Sequence, residues 1–543
     1  MANPVLIVGA GPVGLTMAAA LAHYGVRCRI VEKLAAPNDK SKALAVWCRT
    51  MELLDGLGLA QRFVQTGLKL KGGSMYAHGQ RLVHLNLTSD ESPYGFPLMI
   101  PQNETERLLT EHLAQQGVAV ERSVELVAFS ESATGIQCTL RHADGRQEIT
   151  ETSWLIGCDG AHSAVRHGLG MEFTGHTEPN DWMLADVYIQ GSLARDEVSI
   201  YWHDEGVVAF FPIDRQHMRV IADVGPAGNQ PLPTDLTLAE VQAKVDEGGP
   251  KGLRLSNPVW LSYFRINERK VRDYRQGRVM LAGDAAHIHS PAGGQGMNTG
   301  MQDAFNLAWK LALIEKGQGR PEVLLQSYST ERSAVGDQVL KNAERFTTMA
   351  TLKSPVAQWL RNHIVPILGS FDAVQDRIRD EWFEFSVNYR HSPLSGESWP
   401  MLTGGLAAGD RLCDAPLVGA TDGSRTTLFS AIRDTRHKLL LLPASSNDTP
   451  ISHLTEIAGE VERNFPSLVS PHVILPGNAP ARAISTHGLP TWIDAENQLY
   501  RKLHANAPTI VLVRPDGYLN YRCQPADGQK LMSFLGSYLI PKT

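Results

Sequence analysis

The sequence predicts an α/β protein, and three observations carry that reading: a glycine-rich turn between an N-terminal strand and helix, two later strands ending in glycine–aspartate turns, and an intervening stretch of alternating strands. Residues 5–8 are a short β-rich apolar run, as a strand buried on both faces requires. Gly9-Ala10-Gly11-Pro12-Val13-Gly14 follows, then an alanine-rich helical stretch over 15–23, Gly25, and a second strand over 27–31 that ends at Glu32. In this βαβ unit Gly9 permits the tight turn, Gly11 lets backbone amides approach a pyrophosphate, and Gly14 allows the helix to pack closely on the strand. The helix N-terminus adds partial positive charge. Glu32 stands where an acidic residue accepts hydrogen bonds from both hydroxyls of an adenosine ribose. The unit therefore reads as a Rossmann-like dinucleotide site, and by itself it does not separate NAD from FAD.

Composition bounds the rest. The chain has 543 residues, a formal charge of −6 and 43% hydrophobic residues, which fits a soluble globular protein and excludes disorder, collagen and a disulfide scaffold. A slightly acidic chain exerts no general pull on phosphate backbones or anionic membranes, and no basic stripe stands out, so no nucleic-acid partner is expected. Six cysteines without a C-x-x-C pair or tight Cys/His clustering argue for no metal and for reduced thiols in a cytoplasmic protein. Residues 1–26 carry no Lys, Arg, Asp or Glu, which invites comparison with a signal peptide or membrane span. No basic residue precedes the apolar stretch, however, and Gly9, Gly11 and Gly14 interrupt it, so neither is expected.

The second turn is Trp154-Leu155-Ile156-Gly157-Cys158-Asp159-Gly160, an apolar strand leading into Ala161-His162-Ser163-Ala164-Val165-Arg166 and a polar-capped helix. The third follows the strand 278–282: Gly283-Asp284, then a loop with Pro291, Gly293, Gly294 and Gly296, then a helix capped at Asn298 or Thr299 and running to about Glu315. Apolar residues at 301, 304, 305, 308, 311 and 312 predict one buried stripe on that helix. Each turn alone is an ordinary strand end. Together they suit a dinucleotide laid across the carboxyl ends of a parallel sheet.

These three motifs, over residues 3–395, resemble the single-component FAD-dependent aromatic hydroxylases, the group of phenol hydroxylase-like and 3-(3-hydroxyphenyl)propionate hydroxylase-like enzymes. The resemblance implies FAD on Gly9, Gly11, Pro12, Gly14, Glu32 and Lys33. It places Asp284 on ribityl hydroxyls, and Pro291 with the backbone of Gly294, Gly296, Met297 and Asn298 at the N1/C2-carbonyl edge of the flavin, where amides favour an anionic reduced ring. Gln102 matches a glutamine that contacts the cofactor chain, Arg49 a recurring R-T-x-E segment, and Asp159 a fingerprint for FAD and NAD(P)H handling. Lys42 replaces the arginine many relatives hold near the pyrophosphate, keeping charge and losing the planar fork, which leaves NADPH or NADH open as transient reductant.

Between 178 and 272 the strands 182–189, 198–203, 207–213 and 218–224 alternate as in an antiparallel sheet with one covered face. In the resembled family this sheet roofs the flavin, and Ala45, Trp47, Phe211 and Pro291 become substrate-lining candidates. The implied chemistry is hydroxylation of a phenolic or related aromatic substrate by O2 through a C4a-hydroperoxyflavin. Ring attack is easier on a phenolate, yet a phenol with pKa about 10 is mostly protonated at pH 7, so a base or hydrogen-bond network is needed. Phenol hydroxylase-like relatives carry an acid near position 44; this chain has Leu44. His203, Asp204, Tyr263, Arg265, His287 and His289 remain candidates. Oxidation of a polycyclic natural product or antibiotic, by hydroxylation or Baeyer–Villiger insertion, and a flavin-binding reductase or interaction protein stand as alternatives.

The expected organisation is an FAD-binding domain from 1–177 and 273–395, a β-sheet substrate domain at 178–272, and, from 396–543, a C-terminal module. Its strands at 437–442, 472–475, 509–513 and 518–523, helices at 452–464 and 530–539, and the 514–517 turn resemble a thioredoxin-like domain. It lacks C-x-x-C, so it is expected to serve packing or homodimer formation, with Cys413 and Cys523 as plain thiols.

Overall fold

The first βαβ unit nucleates a six-stranded sheet. Val5–Val8 pairs in parallel with Cys28–Glu32 on one side and Leu155–Gly157 on the other. Val120–Arg122 continues the first side, while Val279–Leu281 and the antiparallel Arg275–Gln276 continue the second. The chain direction along the sheet reverses at Val5–Val8, and the crevice at such a switch point is where ligands bind in doubly wound sheets. The computed structural model describes residues 3–227, 232–291, 293–352, 354–399, 404–443, 448–478 and 486–542. The charge-free N-terminal segment is a fully buried strand and the helix Pro12–His23, packed within the largest core cluster. No described helix is long and apolar enough to cross a membrane.

The predicted middle strands form as Thr174–Gln190, Glu197–His203, Gly206–Pro212 and His217–Pro226, joined by Arg254–Lys270. The sheet is wider than 178–272 and is mixed. Gly72–Ala77 and Gln80–Asn86 add two strands, and Gly72–Ala77 pairs in parallel with Glu197–His203 while the other pairings are antiparallel. Its two faces differ. Helix Leu238–Gly248 covers one through Val241 and Val245 against Met183, Ala185, Val208, Phe210 and Val220. On the other, Trp182, Trp202, Val207, Phe211, Phe264 and Ile266 join Leu44, Ala45, Trp47, Trp382 and Phe383 in a separate aromatic cluster.

The helix after the third turn runs Gly296–Glu315 with Gln295 at its N-cap, so Asn298 and Thr299 lie inside the first turn and neither caps it. The single stripe predicted for it is also corrected. Every residue from 298 to 312 is buried, including Gln302, Asp303, Asn306 and Lys310, because helices Pro12–His23 and Pro321–Ala350 and the C-terminal residues enclose it. Beyond residue 395, His437–Leu442 pairs in parallel with Val469–Pro476 across helix Asp448–Asn464. It pairs antiparallel with Thr509–Val513, which pairs antiparallel with Leu519–Cys523 before helix Gly528–Tyr538. All six cysteines are free.

Candidate active site

The three turns meet at the carboxyl ends of adjacent parallel strands. Gly9 adopts φ +101°, and a Cβ there would stand 2.4 Å from the Cys158 carbonyl oxygen; a Cβ on Gly14 would stand 1.9 Å from that of Gly9. Nothing lies within 4 Å of a Cβ placed on Gly11, so this glycine faces open space while its neighbours are locked in contact. The third turn closes on the other two. Arg166 Nη1 donates to the Ala285 carbonyl at 3.1 Å, and the Asp303 carboxylate accepts the Gly283 amide at 2.9 Å.

Polar groups ring the space so defined. Glu32, at its strand end, accepts the amides of Ala10 (2.8 Å) and Leu34 (2.9 Å), which hold the carboxylate beside the first turn; Lys33 is exposed. Pro12 opens the helix, and no side chain caps Gly11, so first-turn amides remain for an anion. Asp284 is exposed to solvent yet ringed by protein. That enclosure raises its carboxyl pKa against the opposing pull of His287 and Lys42, which places the exposed Lys42 within electrostatic reach of the same space. The loop carrying Lys42 is clamped from behind: Arg219 pairs with Asp186 at 2.8 Å and donates to the carbonyls of Ser41 and Lys42. Gln102 spends its side chain on the Ala43 amide and Glu106, and Asp159 accepts from Ser163 and the Val165 amide, so both brace turns.

The glycine loop joins this cradle to the aromatic cluster. Asn298 accepts the Trp47 amide at 2.9 Å and donates to the carbonyls of Ala45 and Gly294; Trp47 Nε1 donates to Gly293 and Gly294 at 3.1 Å. Asn298 is thus a brace, and the Trp47 ring packs against Trp382 and Phe383 rather than standing free for a ligand. Ala45 lies 3.7 Å from a Cβ placed on Gly294, and Phe211 lies in the same cluster. Pro291 and Gly294 are exposed, Gly296 and Met297 half-buried.

Of the catalytic candidates, His289 alone adjoins the loop. Its Nδ1 bonds the Ser290 carbonyl at 2.8 Å, while Nε2 is buried without a partner, 3.4 Å from a Cβ placed on Gly296; burial and nearby His287 push its pKa down to about 4. The side chains of the other five are engaged elsewhere or exposed. His203 packs on Gly248 of the covering helix, Tyr263 lies on that same covered face and donates to Glu240 at 3.2 Å, and Arg265 is bound by Asp181 at 2.7 Å. His287 bonds Asp303 at 2.9 Å, and Asp204 is at the exposed turn near His78. Arg49 departs furthest. It is 2% exposed, pairs with Glu52 at 2.8 Å, donates to the Asp516 carbonyl and lies 4.8 Å over the Tyr518 ring, so it serves the junction with the C-terminal residues instead of the cradle.

Sequence reasoning missed the buried polar layer beneath the loop. Asp303 takes Arg332 at 2.6 Å, Arg332 also donates to the Thr299 carbonyl, and Glu384, bonded by Gln302 and Thr299, has its carboxyl pushed up to about 8 by burial. The usable signal was charge inside helical stretches otherwise fit for the core: Asp303 and Lys310 in one helix, Glu331 and Arg332 in the next.

An open glycine in the first turn, an uncapped helix start, a strand-end carboxylate and an enclosed aspartate form a donor set that fits FAD. The family model described as an FAD binding domain matches residues 2–343. The chain belongs to this family and is a flavoprotein monooxygenase of the aromatic-hydroxylase type. It is 33% identical to 6-methylpretetramide 4-monooxygenase of Streptomyces rimosus over 99% of this chain and 94% of that one. It is 32% identical to pentachlorophenol 4-monooxygenase of Sphingobium chlorophenolicum, over 99% and 96% respectively. Among solved structures, the anhydrotetracycline hydroxylase of Streptomyces rimosus superposes with a TM-score of 0.76 at 28% identity, covering 100% of both chains.

Proposed function

We propose that this monooxygenase consumes NADPH or NADH and O2 to add one hydroxyl to a phenolic or polycyclic aromatic substrate. The balance is substrate-H + O2 + NAD(P)H + H+ to substrate-OH + NAD(P)+ + H2O. The observation that carries the reading is the pairing of the cradle with the aromatic cluster through Asn298 and Trp47. Relatives named for a pretetramide and for pentachlorophenol support a flat, oxygen-bearing ring system as substrate.

Bound FAD supplies two-electron transfer and activation of O2. The chain's own contributions follow from its residues. Gly11, the start of helix Pro12–His23, Glu32 and Asp284 would hold the cofactor, and the backbone of Gly294, Gly296 and Met297 would supply amides to its ring. Lys42 supplies a charge at the cradle mouth. The apolar wall of Leu44, Phe211, Phe264 and Trp382 would keep water from the reacting centre. His289, neutral at pH 7 with Nε2 unpaired, accepts a hydrogen bond at that nitrogen. The strand–helix–strand then hairpin–helix order of the last residues supports a thioredoxin-like module at 396–543 without a redox pair.

The test is oxygen uptake and NAD(P)H oxidation with a panel of phenols and polycyclic aromatics. Substrate-stimulated oxidation coupled to a hydroxylated product is expected. Oxidation that yields only H2O2 with every aromatic offered would overturn the reading in favour of a reductase.

A further inference from the structure

The absence of close Cys/His spacing makes a metal site unexpected, yet pairing of two distant strands assembles one. His176 and Glu268 are direct cross-strand partners between Thr174–Gln190 and Arg254–Lys270. Two residues along, Glu178 turns its carboxylate to His176, with Nε2 and Oε1 3.1 Å apart. One ligand atom from each of the three lies within 4.8 Å of the others. Donors around a divalent ion with bonds of about 2.0–2.2 Å stand roughly 3–3.5 Å apart, so small side-chain adjustments would complete the coordination.

Charge balance makes the cluster more than an incidental surface group. Glu268 is 2% exposed, its Oε1 has no hydrogen-bond partner, and Glu178 and Glu344 face it electrostatically. Among the described residues no ion pair joins a Lys or Arg to any of these three carboxylates, and His176 is the basic side chain that pairs with the cluster. A buried carboxylate beside others requires a proton or a cation. We propose that His176, Glu178 and Glu268 bind a divalent cation of the zinc class, which accepts mixed imidazole and carboxylate donors, with water in the remaining positions. Glu268 also accepts the Ser290 amide, so the ion would fasten the substrate sheet to the root of the glycine loop.

The test is calorimetric titration of ZnCl2 at pH 7 into FAD-saturated, chelator-stripped protein, with MnCl2 as a second probe; neither reading depends on turnover. One saturable equivalent of Zn2+ is expected, with affinity weakened about tenfold or more by Glu268→Gln and by His176→Ala. The second variant alters an exposed side chain and covers the case in which Glu268→Gln does not fold. No saturable binding to the wild type, as a protonated Glu268 would give, overturns the proposal. Binding that both variants retain unchanged overturns it equally, because the ion then sits elsewhere.

Discussion

The two ends of the buried helix pair Gly296–Glu315 and Pro321–Ala350 are built on opposite principles. Toward the cradle, polar groups are left wanting: the helix starts at Gly11 and Gln295 receive no side-chain capping bond, and His289 Nε2 has no partner. Toward the C-terminal residues the charges are satisfied. Glu331 accepts Lys310 at 2.7 Å, Asn306 at 2.6 Å, Ser392 at 2.5 Å and both Arg514 nitrogens, and Arg514 continues to Asp516. This ring of donors holds the Glu331 carboxyl down to about 2, while burial brings Lys310 down to about 8. The difference lies in the charges: at the joint each of these carboxylates and cations has its counter-charge within hydrogen-bond reach, whereas the cradle keeps polar positions free for a ligand.

That contrast breaks most visibly at the joint. Arg514→Met leaves Glu331 with only Lys310 as counter-charge, and should cost about 3–5 kcal/mol of unfolding free energy in urea titration. Full stability in this variant would mean the joint is not structural. The cradle responds in the other currency. Gly11→Ala, at an open position with φ −75°, should lower FAD affinity about tenfold or more while shifting apoprotein stability by less than about 1 kcal/mol. Gly14→Ala drives a Cβ into the Gly9 carbonyl and should destabilise the apoprotein by about 1–3 kcal/mol. Asp284→Ala should weaken flavin retention without lowering apoprotein stability, since its enclosed carboxyl is more costly than useful until a ligand meets it; undiminished flavin content on purification would refute that placement.

The turns were legible because their causes are local. Gly14 follows from sterics within a few residues, since its Cβ would meet the Gly9 carbonyl, and the G-x-G-x-x-G spacing carries Gly9 with it although its own close neighbour is Cys158; the four central strands follow from alternation. The partners of Arg49 were not legible: Asp516 lies 467 residues away, and nothing near Arg49 in the chain announces it. The 72–86 strands are a hairpin turning at His78-Gly79, and what no local signal announces is their parallel pairing with 197–203, over a hundred residues on. The side-chain partners of Trp47 and Asn298 were likewise hidden, because sequence names a residue's chemistry and not which distant neighbour its side chain meets.

The remaining effect is one of pH, beside the joint, where the His437 ring packs on Trp309. Burial brings the His437 pKa down to about 3, while the unfolded chain holds it near 6.5. The unfolded state therefore binds more protons between these values, so the stability contribution is present above about pH 6.5 and lost as pH falls toward 3. His437→Leu should flatten this acid limb of the stability curve, read by thermal melting from pH 7 to 4.

The central claim is that the three turns form one FAD cradle, and equilibrium titration of apoprotein with FAD, followed by flavin fluorescence, tests it most directly. The account predicts one FAD per chain, bound tightly by the wild type and about tenfold or more weakly by Gly11→Ala. A wild type that takes up no FAD, or a Gly11→Ala variant that binds it equally well, would contradict it.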